Sequence, residues 1–396
     1  MKQEKLLPYL LAGISFTTIM DFMIMMPLGP QFKRIFDIGP ETWSAVISSY
    51  TLAAAVSGFL AIFFLDAFDR RKALLFMYAG FILATFLVGL ATSVTLLLAA
   101  RALTGFFGGI IGALLFAVIG DLVPGPARGK AIGVLMTGFS AAASLGVPAG
   151  LLLGTQFGWR TAFFMIAGFS VVLYFLAWKF VPPVKAHLGR EAGVFRNALN
   201  GISAVFADPN QVKALIFMVL IVFGQFSIIP FISPYMVSNV GFEEIELTYI
   251  YLTGGTLTVF TSPWFGKVAD RRGKHRTFGV LMILSLIPIY AITHMEPVPM
   301  VYVLIFSSMF FVFAAGRMVP ASALVVATAH PDYRGTFMSI RSVAVSLGQG
   351  IAAYCAGLII YEQADGTFAN FNVVGYIGIA TSITSYFILR KMADRY

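Results

Sequence analysis

Charged residues are scarce in this sequence. Asp, Glu, Lys and Arg together make up 11% of its 396 residues, against roughly 25% in an average soluble domain. Hydrophobic residues make up 59%, which is more apolar surface than a water-soluble fold can bury. The composition therefore excludes the two or three soluble domains that the length alone suggests, and it predicts a polytopic membrane protein. The apolar runs reach about 20 residues without alternation, which excludes a β-barrel and predicts transmembrane helices.

Groups for catalysis and metal binding are also few. Cys355 is the single cysteine, which excludes an internal disulfide and a cysteine-based metal site. The sequence contains no G-x-x-x-x-G-K-[ST], no H-E-x-x-H and no G-x-S-x-G, the motifs of phosphate loops, zinc proteases and serine hydrolases. We therefore expect neither an enzyme nor an ATP-driven motor, and no metal or cofactor. The four histidines fall in predicted loops, at His187, His275, His294 and His330.

Twelve apolar runs predict an all-α membrane protein with twelve transmembrane helices in two six-helix bundles. The first run follows Lys2 and Lys5 and lacks an A-x-A cleavage pattern, so we expect a retained helix rather than a signal peptide. The longest connection divides the chain into an N-terminal bundle (1–180), a cytoplasmic linker (181–211) and a C-terminal bundle (212–396). The predicted spans cover residues 6–28, 45–64, 73–91, 94–120, 131–154, 162–180, 212–233, 247–265, 278–292, 300–324, 337–361 and 370–389.

The distribution of Lys and Arg predicts the orientation. An even number of spans places both termini on one side, and 21 of the 27 basic residues fall on that side. Only Lys33, Arg34 and Arg160 fall in loops on the opposite side. Because basic residues accumulate in cytoplasmic loops, we expect both termini in the cytoplasm and the protein in the cell inner membrane. The net charge of +9 then reflects topology and contact with anionic lipid, and it indicates no nucleic-acid partner.

The predicted linker contains an amphipathic pattern. Phe195, Leu199, Ile202 and Phe206 recur at helical spacing, which predicts a helix with one apolar face. Such a helix lies on the cytoplasmic membrane surface or packs on protein, and the pattern favours neither.

The two halves of the sequence share short motifs at a nearly constant offset, which indicates an internal duplication. Because each half has six spans, both halves run in the same direction, and the predicted repeats are related by an axis along the membrane normal. The matches are DAFDRRK at 66–72 with DRRGKHR at 270–276, Arg-Gly at 128–129 with 334–335, and Ser-Leu-Gly at 144–146 with 346–348, at offsets of 204, 206 and 202 residues.

A glycine- and arginine-rich pattern surrounds the loop after the eighth span, with Gly266, Val268, Ala269, Asp270, Arg271, Gly273, Lys274 and Arg276. This pattern resembles the loop signature of the major facilitator superfamily. The first-half copy departs from the signature, since Ile62, Ala67 and Asp69 stand where the family has glycine, a basic residue and glycine.

Two further motifs resemble the same superfamily. Arg-Ala-Leu-Thr-Gly at 101–105 is similar to its arginine motif. Gly-Val-Pro-Ala-Gly at 146–150 is similar to the antiporter motif of its drug:proton exporter branch, with Val147 in place of a glycine. The resemblance covers essentially the whole chain and implies a transporter in which spans 1, 4, 7 and 10 line a central cavity.

The paired loops predict a cytoplasmic gate. Asp66 and Asp270 end spans 2 and 8 near the predicted starts of spans 5 and 11, and a carboxylate is stabilised near a helix N-terminus. Such contacts across the halves would form only when the cytoplasmic side is closed. The alternative is that these loops only set the topology. The predicted gate residues are Asp66, Arg70, Arg71, Gly266, Asp270, Arg271, Gly273 and Lys274.

Asp21 is the single carboxylate within the predicted spans. A charge at such depth costs at least about 2.5 kcal/mol on insertion scales, so it must be neutralised, paired or hydrated. Asp21 and Arg101 both lie seven residues inside the predicted outer ends of their spans, about 10 Å deep. We expect a proton on Asp21 to release Arg101 and so to couple transport to protons. The alternative is a static structural ion pair.

Other positions in the spans predict the substrate cavity and the sites of helix bending. Met25, Thr104, Gln225 and Arg317 are the predicted cavity residues; for Met25 the alternative is packing, and for Arg317 it is a side chain that reaches the interface. The predicted bending positions are Gly146, Pro148, Gly150 and Pro230,.

These patterns predict a secondary active transporter: a monomer that exports a small organic solute, amphipathic or weakly polar, in exchange for protons by alternating access. One alternative is an uncoupled or differently coupled facilitator of the same fold for a sugar or lysolipid. Another is a non-transporting membrane receptor.

Overall fold

The computed structural model describes residues 2–184 and 194–392, and these residues are almost entirely helical. They form sixteen α-helices and one two-stranded sheet. The first nine helices are α1 Lys2–Ile24, α2 Gly29–Phe36, α3 Pro40–Phe64, α4 Arg70–Leu90, α5 Val94–Leu122, α6 Gly125–Ala141, α7 Val147–Phe157, α8 Trp159–Phe180 and α9 Val194–Ala207. The others are α10 Pro209–Phe226, α11 Ile229–Ser238, α12 Leu247–Arg272, α13 Lys274–Thr293, α14 Met300–Ala327, α15 Arg334–Ile359 and α16 Phe371–Arg390.

Each of the twelve predicted spans coincides with a helix. In the described residues, eleven helical stretches are long and apolar enough to cross a membrane. The predicted eighth span corresponds to α12, which has 26 residues but carries more polar side chains than the others. Two spans are each made of two helices, α6 with α7 and α10 with α11.

The chain forms two compact units. Unit 1 contains Met1–Ile24 and Ser49–Gly201, and unit 2 contains Met25–Ser48 and Ile202–Tyr396. The sequence predicts a simple division at the linker. Segment 25–48 departs from that division, because it packs with the C-terminal half of the chain.

The first span ends earlier than the sequence predicts. α1 stops at Ile24, and a turn leads into α2, a short helix with the basic residues Lys33 and Arg34 in its last turn. Pro27 and Pro30 explain the break, because proline lacks a backbone N–H and is tolerated mainly in the first turn of a helix. The predicted span 6–28 is therefore one long helix followed by a turn.

Unit 1 has a continuous apolar core between α1, α4, α5, α6 and α8. Leu11, Ile14, Phe81 and Leu114 are among its buried side chains. Close packing of α3 on α5 depends on Gly105, because a Cβ atom there would lie 2.1 Å from the carbonyl oxygen of Tyr50. Gly105 lies one turn after Arg101 on α5.

A β-hairpin follows α15, where the sequence predicts only a loop. β1 Tyr361–Glu362 pairs antiparallel with β2 Phe368–Ala369. In its turn, Asp365 accepts hydrogen bonds from the Thr367 hydroxyl at 2.6 Å and the Thr367 amide at 3.0 Å. These bonds lower the pKa of the Asp365 carboxyl below its ordinary value,.

The sequence left open whether the linker helix α9 packs on protein or lies on the membrane surface, and the structure has features of both. It buries Ala198 and Val205 against protein, whereas the side chains of Leu199 and Phe206 are 47% and 58% exposed. The Phe195 side chain and residues 185–193, which include His187, lie outside the described residues. One face of α9 thus packs on protein, and an apolar face remains for another environment.

Candidate functional site

Asp21 and Arg101 form an ion pair inside unit 1. The Asp21 Oδ2 atom lies 2.8 Å from Arg101 Nη1, and the two side chains are 0% and 1% exposed. Arg101 Nη1 also donates to the Asp21 backbone oxygen at 3.4 Å. Asp21 is three residues before the C-terminal end of α1, and Arg101 is the eighth residue of α5, near its N-terminal end. In the predicted topology these two helix ends lie on the same, outer side of the membrane.

Two further side chains complete the surroundings of the pair. Thr85 of α4 donates a hydrogen bond from its hydroxyl to Asp21 Oδ1 at 3.1 Å. The Arg101 guanidinium carbon lies 4.7 Å from the centre of the Tyr50 ring on α3, within the range of a cation–π interaction. Each carboxylate oxygen of Asp21 therefore has a donor, and the arginine has both an anion and an aromatic ring.

The pair is held by close helix packing. A Cβ atom at Gly108 of α5 would lie 2.6 Å from the Tyr50 hydroxyl, so only glycine leaves room for that ring. Phe22, next to Asp21, contacts Tyr50 with ring centres 5.0 Å apart. Arg101 Nε has no hydrogen-bond partner among the described residues, which leaves one donor of the guanidinium unsatisfied in this arrangement.

Arg317 is the corresponding buried cation of unit 2, and its surroundings differ. It is 1% exposed, and its Nη1 atom donates to the hydroxyls of Ser285 at 3.1 Å and Ser382 at 2.9 Å. None of its hydrogen-bond or ion-pair partners among the described residues is a carboxylate, and its Nε atom has no partner there. Among the described residues, the hydrogen-bond partners of this charge are therefore serine hydroxyls.

The other predicted cavity residues are buried. Gln225 donates from Nε2 to the Ala314 oxygen at 3.0 Å, which joins α10 to α14 one turn before Arg317. Thr104 donates to the Arg101 oxygen within its own helix. Met25 lies in the turn after α1 and is 0% exposed. Gln225 also stands 204 residues after Asp21, the offset of the loop motifs, so an amide occupies the repeat position of the acid.

The first-half loop makes several contacts within unit 1. Asp69 caps α4 by accepting from the amides of Arg71 at 2.9 Å and Val184 at 3.1 Å. Arg70 contacts Asp121 at 3.5 Å, and Arg71 donates to the Trp178 oxygen. The side chain of Asp66 lies outside the described residues.

The second-half loop is a sharp break between α12 and α13. Gly273 adopts a φ of +89° there, a region that favours glycine. Asp270 and Arg271 are exposed, and Asp270 has no hydrogen bond or ion pair with any described residue. Lys274 begins α13, and a Cβ atom at Gly266 would meet Val319 at an ordinary 3.6 Å.

Two spans break next to predicted bending positions. A π-helical turn, Ala142–Gly146, separates α6 from α7 immediately before Pro148. The glycines on either side allow close approach of α1, since a Cβ atom at Gly150 would lie 2.9 Å from both Ile24 and Met20, and one at Gly146 would lie 3.1 Å from Met20. The other break separates α10 from α11 just before Pro230.

Segment 25–48 makes polar contacts in unit 2 that the sequence does not reveal. Lys33 lies 2.9 Å from Glu362 of β1 and 4.6 Å from the centre of the Phe368 ring. Arg34 pairs with Glu244, and Trp43 donates to the Pro230 oxygen at 3.0 Å. In the predicted topology these contacts lie on the outer side of the membrane. We call them the outer contacts.

A family model for the Major Facilitator Superfamily matches residues 11–353 and 215–395 of the chain. The chain belongs to the Major Facilitator Superfamily of membrane transporters. The match spans both units, which agrees with an internal duplication of one six-helix pattern.

Relatives in the superfamily cover nearly the whole chain. A "Probable sugar efflux transporter" of Helicobacter pylori (strain G27) is 23% identical over 92% of this chain and 90% of its own length. An "Uncharacterized MFS-type transporter YceJ" of Bacillus subtilis (strain 168) is 24% identical over 98% and 97%. A crystal structure of a bacterial homolog of the human lysosomal transporter Spinster has a TM-score of 0.78 at 15% identity, covering 98% and 97%, and it supports the major facilitator fold.

Among the residues that the sequence singles out, the structure places Asp21 and Arg101 in direct contact. The lone intramembrane carboxylate leads from the sequence to Asp21 and, by depth, to Arg101. Thr85 and Tyr50 are missed, because polar residues of this kind are common in spans and nothing in the sequence pairs them with Asp21. The outer contacts are missed because they depend on α2 and the β-hairpin, two elements too short to give a periodic signal.

Proposed function

We propose that this major facilitator transporter exports a small organic solute in exchange for protons, with Asp21 as the proton carrier. The proposal rests on one observation: a fully buried carboxylate that pairs with Arg101 at 2.8 Å. Intramembrane ionisable residues that form such pairs mark proton relays and ion pathways in transporters.

The chemistry follows from the charge of the pair. With Asp21 ionised, attraction in a low-dielectric environment holds α1 to α5. With Asp21 protonated, Arg101 keeps its contact with the Asp21 backbone oxygen and the Tyr50 ring but loses its anion. This change in interaction energy biases the equilibrium between two arrangements of the transporter.

Two gates would accompany this switch. We assign the cytoplasmic gate to the motif loops with Asp66, Arg70 and Asp270, as predicted from the sequence. Asp270 is exposed and has no partner among the described residues, which leaves it available for contacts in another conformation. We assign the outer contacts of Lys33 and Arg34 to the opposite gate, since they join the connection between the first two spans to Glu362 and Glu244 of the C-terminal half of the chain.

The proposed setting is a monomer in the cell inner membrane with both termini in the cytoplasm. The solute class is amphipathic or weakly polar, and the proposed cavity residues are Met25, Thr104, Gln225 and Arg317. Reporter fusions at each terminus, read for cytoplasmic or external activity, test the orientation, and a terminus found outside would contradict it.

A second candidate is an uncoupled facilitator for a sugar or lysolipid. The name of the Helicobacter relative, a "Probable sugar efflux transporter", favours a sugar. Solute added to weakly buffered vesicles distinguishes the candidates, because only a coupled carrier changes the internal pH when solute crosses. A receptor would produce no solute flux at all.

Asp21→Asn tests the coupling directly. In liposomes with an imposed pH gradient, we expect the variant to lose gradient-driven accumulation while retaining exchange of labelled for unlabelled solute. Asp365→Asn is the matched control, since Asp365 lies in the exposed hairpin turn, and it should transport like the wild type. Undiminished gradient-driven transport in folded Asp21→Asn protein would rule out the proposed role.

A further inference from the structure

An apolar groove runs along the surface of unit 1 between α4 and α8. It has a volume of about 490 Å³, which lies within the range of about 300–1,000 Å³ typical of small-ligand sites. Its lining is almost entirely hydrocarbon and includes Ala79, Leu83, Phe86, Phe164, Gly168 and Phe175. Because α4 and α8 are membrane spans, the groove lies at the depth of the lipid acyl chains.

Small side chains create the groove. A Cβ atom at Gly168 would meet no atom within 4 Å, and Ala79 leaves space on the facing helix. In α13 and α16, the repeat counterparts of α4 and α8, Tyr386 fills the space next to Gly279, at 2.9 Å from a Cβ atom placed there.

Basic residues lie at one end of the groove. On α8, Lys179 is four residues beyond Phe175, which in turn is seven beyond Gly168, so the three share a face of the helix. On α4, Lys72 is seven residues before Ala79 and shares its face. α4 begins and α8 ends at this side, so both lysines reach the same membrane interface, the cytoplasmic one in the predicted topology.

No described carboxylate neutralises the two lysines. Neither Lys72 nor Lys179 forms an ion pair with a described residue. Arg71, beside Lys72, donates from Nη2 to the Trp178 oxygen, whereas its Nε atom is buried without a partner among the described residues. Trp178 is 59% exposed at the level where tryptophan usually meets lipid headgroups.

We propose that this groove binds an anionic phospholipid, with an acyl chain between α4 and α8 and the headgroup phosphate at Lys72, Lys179 and Arg71. The apolar lining accounts for the chain, and the three cations account for the charge of the headgroup. This inference is independent of proton coupling, since it uses neither Asp21 nor Arg101.

Native mass spectrometry of the full chain in detergent tests the proposal. The protein is titrated with phosphatidylglycerol and with phosphatidylethanolamine that carry identical acyl chains. We expect preferential retention of phosphatidylglycerol. Replacing Lys72 and Lys179 with glutamine should weaken its binding by roughly fivefold per lysine and leave phosphatidylethanolamine unchanged. Lys130→Gln, an exposed lysine of α6, is the matched charge control.

Variants with a larger side chain in the groove distinguish binding of an acyl chain there from charge attraction to the lysines alone. Gly168→Leu should weaken binding of both lipids, and Ala79→Leu, at an exposed position of α4, provides a second variant if the first fails to fold. Gly133→Leu is the control, because a Cβ atom there also meets open space but lies outside the groove. Equal retention of both lipids by the wild type, or retention unaffected by every groove and lysine variant in folded protein, would overturn the proposal.

Discussion

Each half of this transporter buries an arginine on a membrane-spanning helix, but only the first half gives it a carboxylate. Arg101 pairs with Asp21 at 2.8 Å, whereas Arg317 donates to two serine hydroxyls. The repeat-related helices α4 and α13 each supply a hydroxyl, from Thr85 and Ser285. The two halves differ in the carboxylate, because Gln225 stands at the position of the second half that corresponds to Asp21.

This difference shows how a duplicated structure can divide its tasks. A carboxylate exchanges a proton within the physiological range when its surroundings shift it, whereas a guanidinium stays charged. The first half therefore holds an ionisable acid beside its arginine, as the proposed coupling requires. The second half holds a cation of constant charge, with unsatisfied donor capacity, which suits binding of a polar or anionic group.

The largest expected effect is on the buried pair. Removing one partner leaves an uncompensated buried charge, so Asp21→Leu should lower the free energy of unfolding by about 3–5 kcal/mol. The double variant Asp21→Leu/Arg101→Met should recover much of that loss, because it removes both charges. Unfolding in detergent micelles is measured for four proteins: the wild type, Asp21→Leu, Arg101→Met and the double variant. Strictly additive losses would show that the pair contributes no interaction energy.

A smaller effect is expected for the second arginine. Arg317→Met removes hydrogen bonds to Ser285 and Ser382, each worth up to about 1.5–3 kcal/mol, but it also removes the cost of burying an unpaired charge. We therefore expect a net change below that of Asp21→Leu in the same unfolding assay. A loss as large as that of the buried pair would contradict the contrast between the halves and point to an undetected anion at Arg317.

Loss of the Thr85 or Ser285 hydroxyl should have the next largest effect on stability. Thr85→Val removes a hydrogen bond to a carboxylate and should cost about 1.5 kcal/mol, the lower end of the range for bonds to charged groups, and Ser285→Ala should cost a similar amount. The functional readouts should differ, however. Thr85→Val is expected to alter proton-driven transport, whereas Ser285→Ala leaves the driving proton flux intact. Identical transport defects in the two variants would show that the halves do not divide these tasks.

The outer contacts should contribute least to stability. Lys33 and Glu362 are partly exposed, at 24% and 32%, and ion pairs of this kind contribute about 0–1 kcal/mol. Lys33→Glu should therefore change stability little, but we expect it to raise the accessibility of the outer side to a thiol reagent at an introduced cysteine. The exchange variant Lys33→Glu/Glu362→Lys should restore the wild-type labelling rate, and failure to restore it would separate this contact from gating.

The sequence predicts the spans well because a bilayer imposes a simple constraint. A helix that crosses it needs about 20 apolar residues, so each predicted span coincides with a helix of the structure. The same constraint makes Asp21 conspicuous, since a lone acid among apolar residues has few explanations. The contacts of the first-half loop could not be predicted from the sequence. Asp69, which replaces a family glycine, caps α4 and holds Val184, a role that depends on where the chain returns after α8.

Composition, hydropathy and charge placement thus determined by themselves that this chain is a membrane protein of duplicated design with twelve predicted spans and one acid inside them, because lipid penalises every unsatisfied polar group. Only the tertiary structure decided the partners. Thr85 and Tyr50 meet the acid pair, the groove opens between α4 and α8, and segment 25–48 joins the C-terminal half. The sequence could not predict these partners because glycines and other small residues set how closely two helices approach, and the facing side chains are far apart in the sequence.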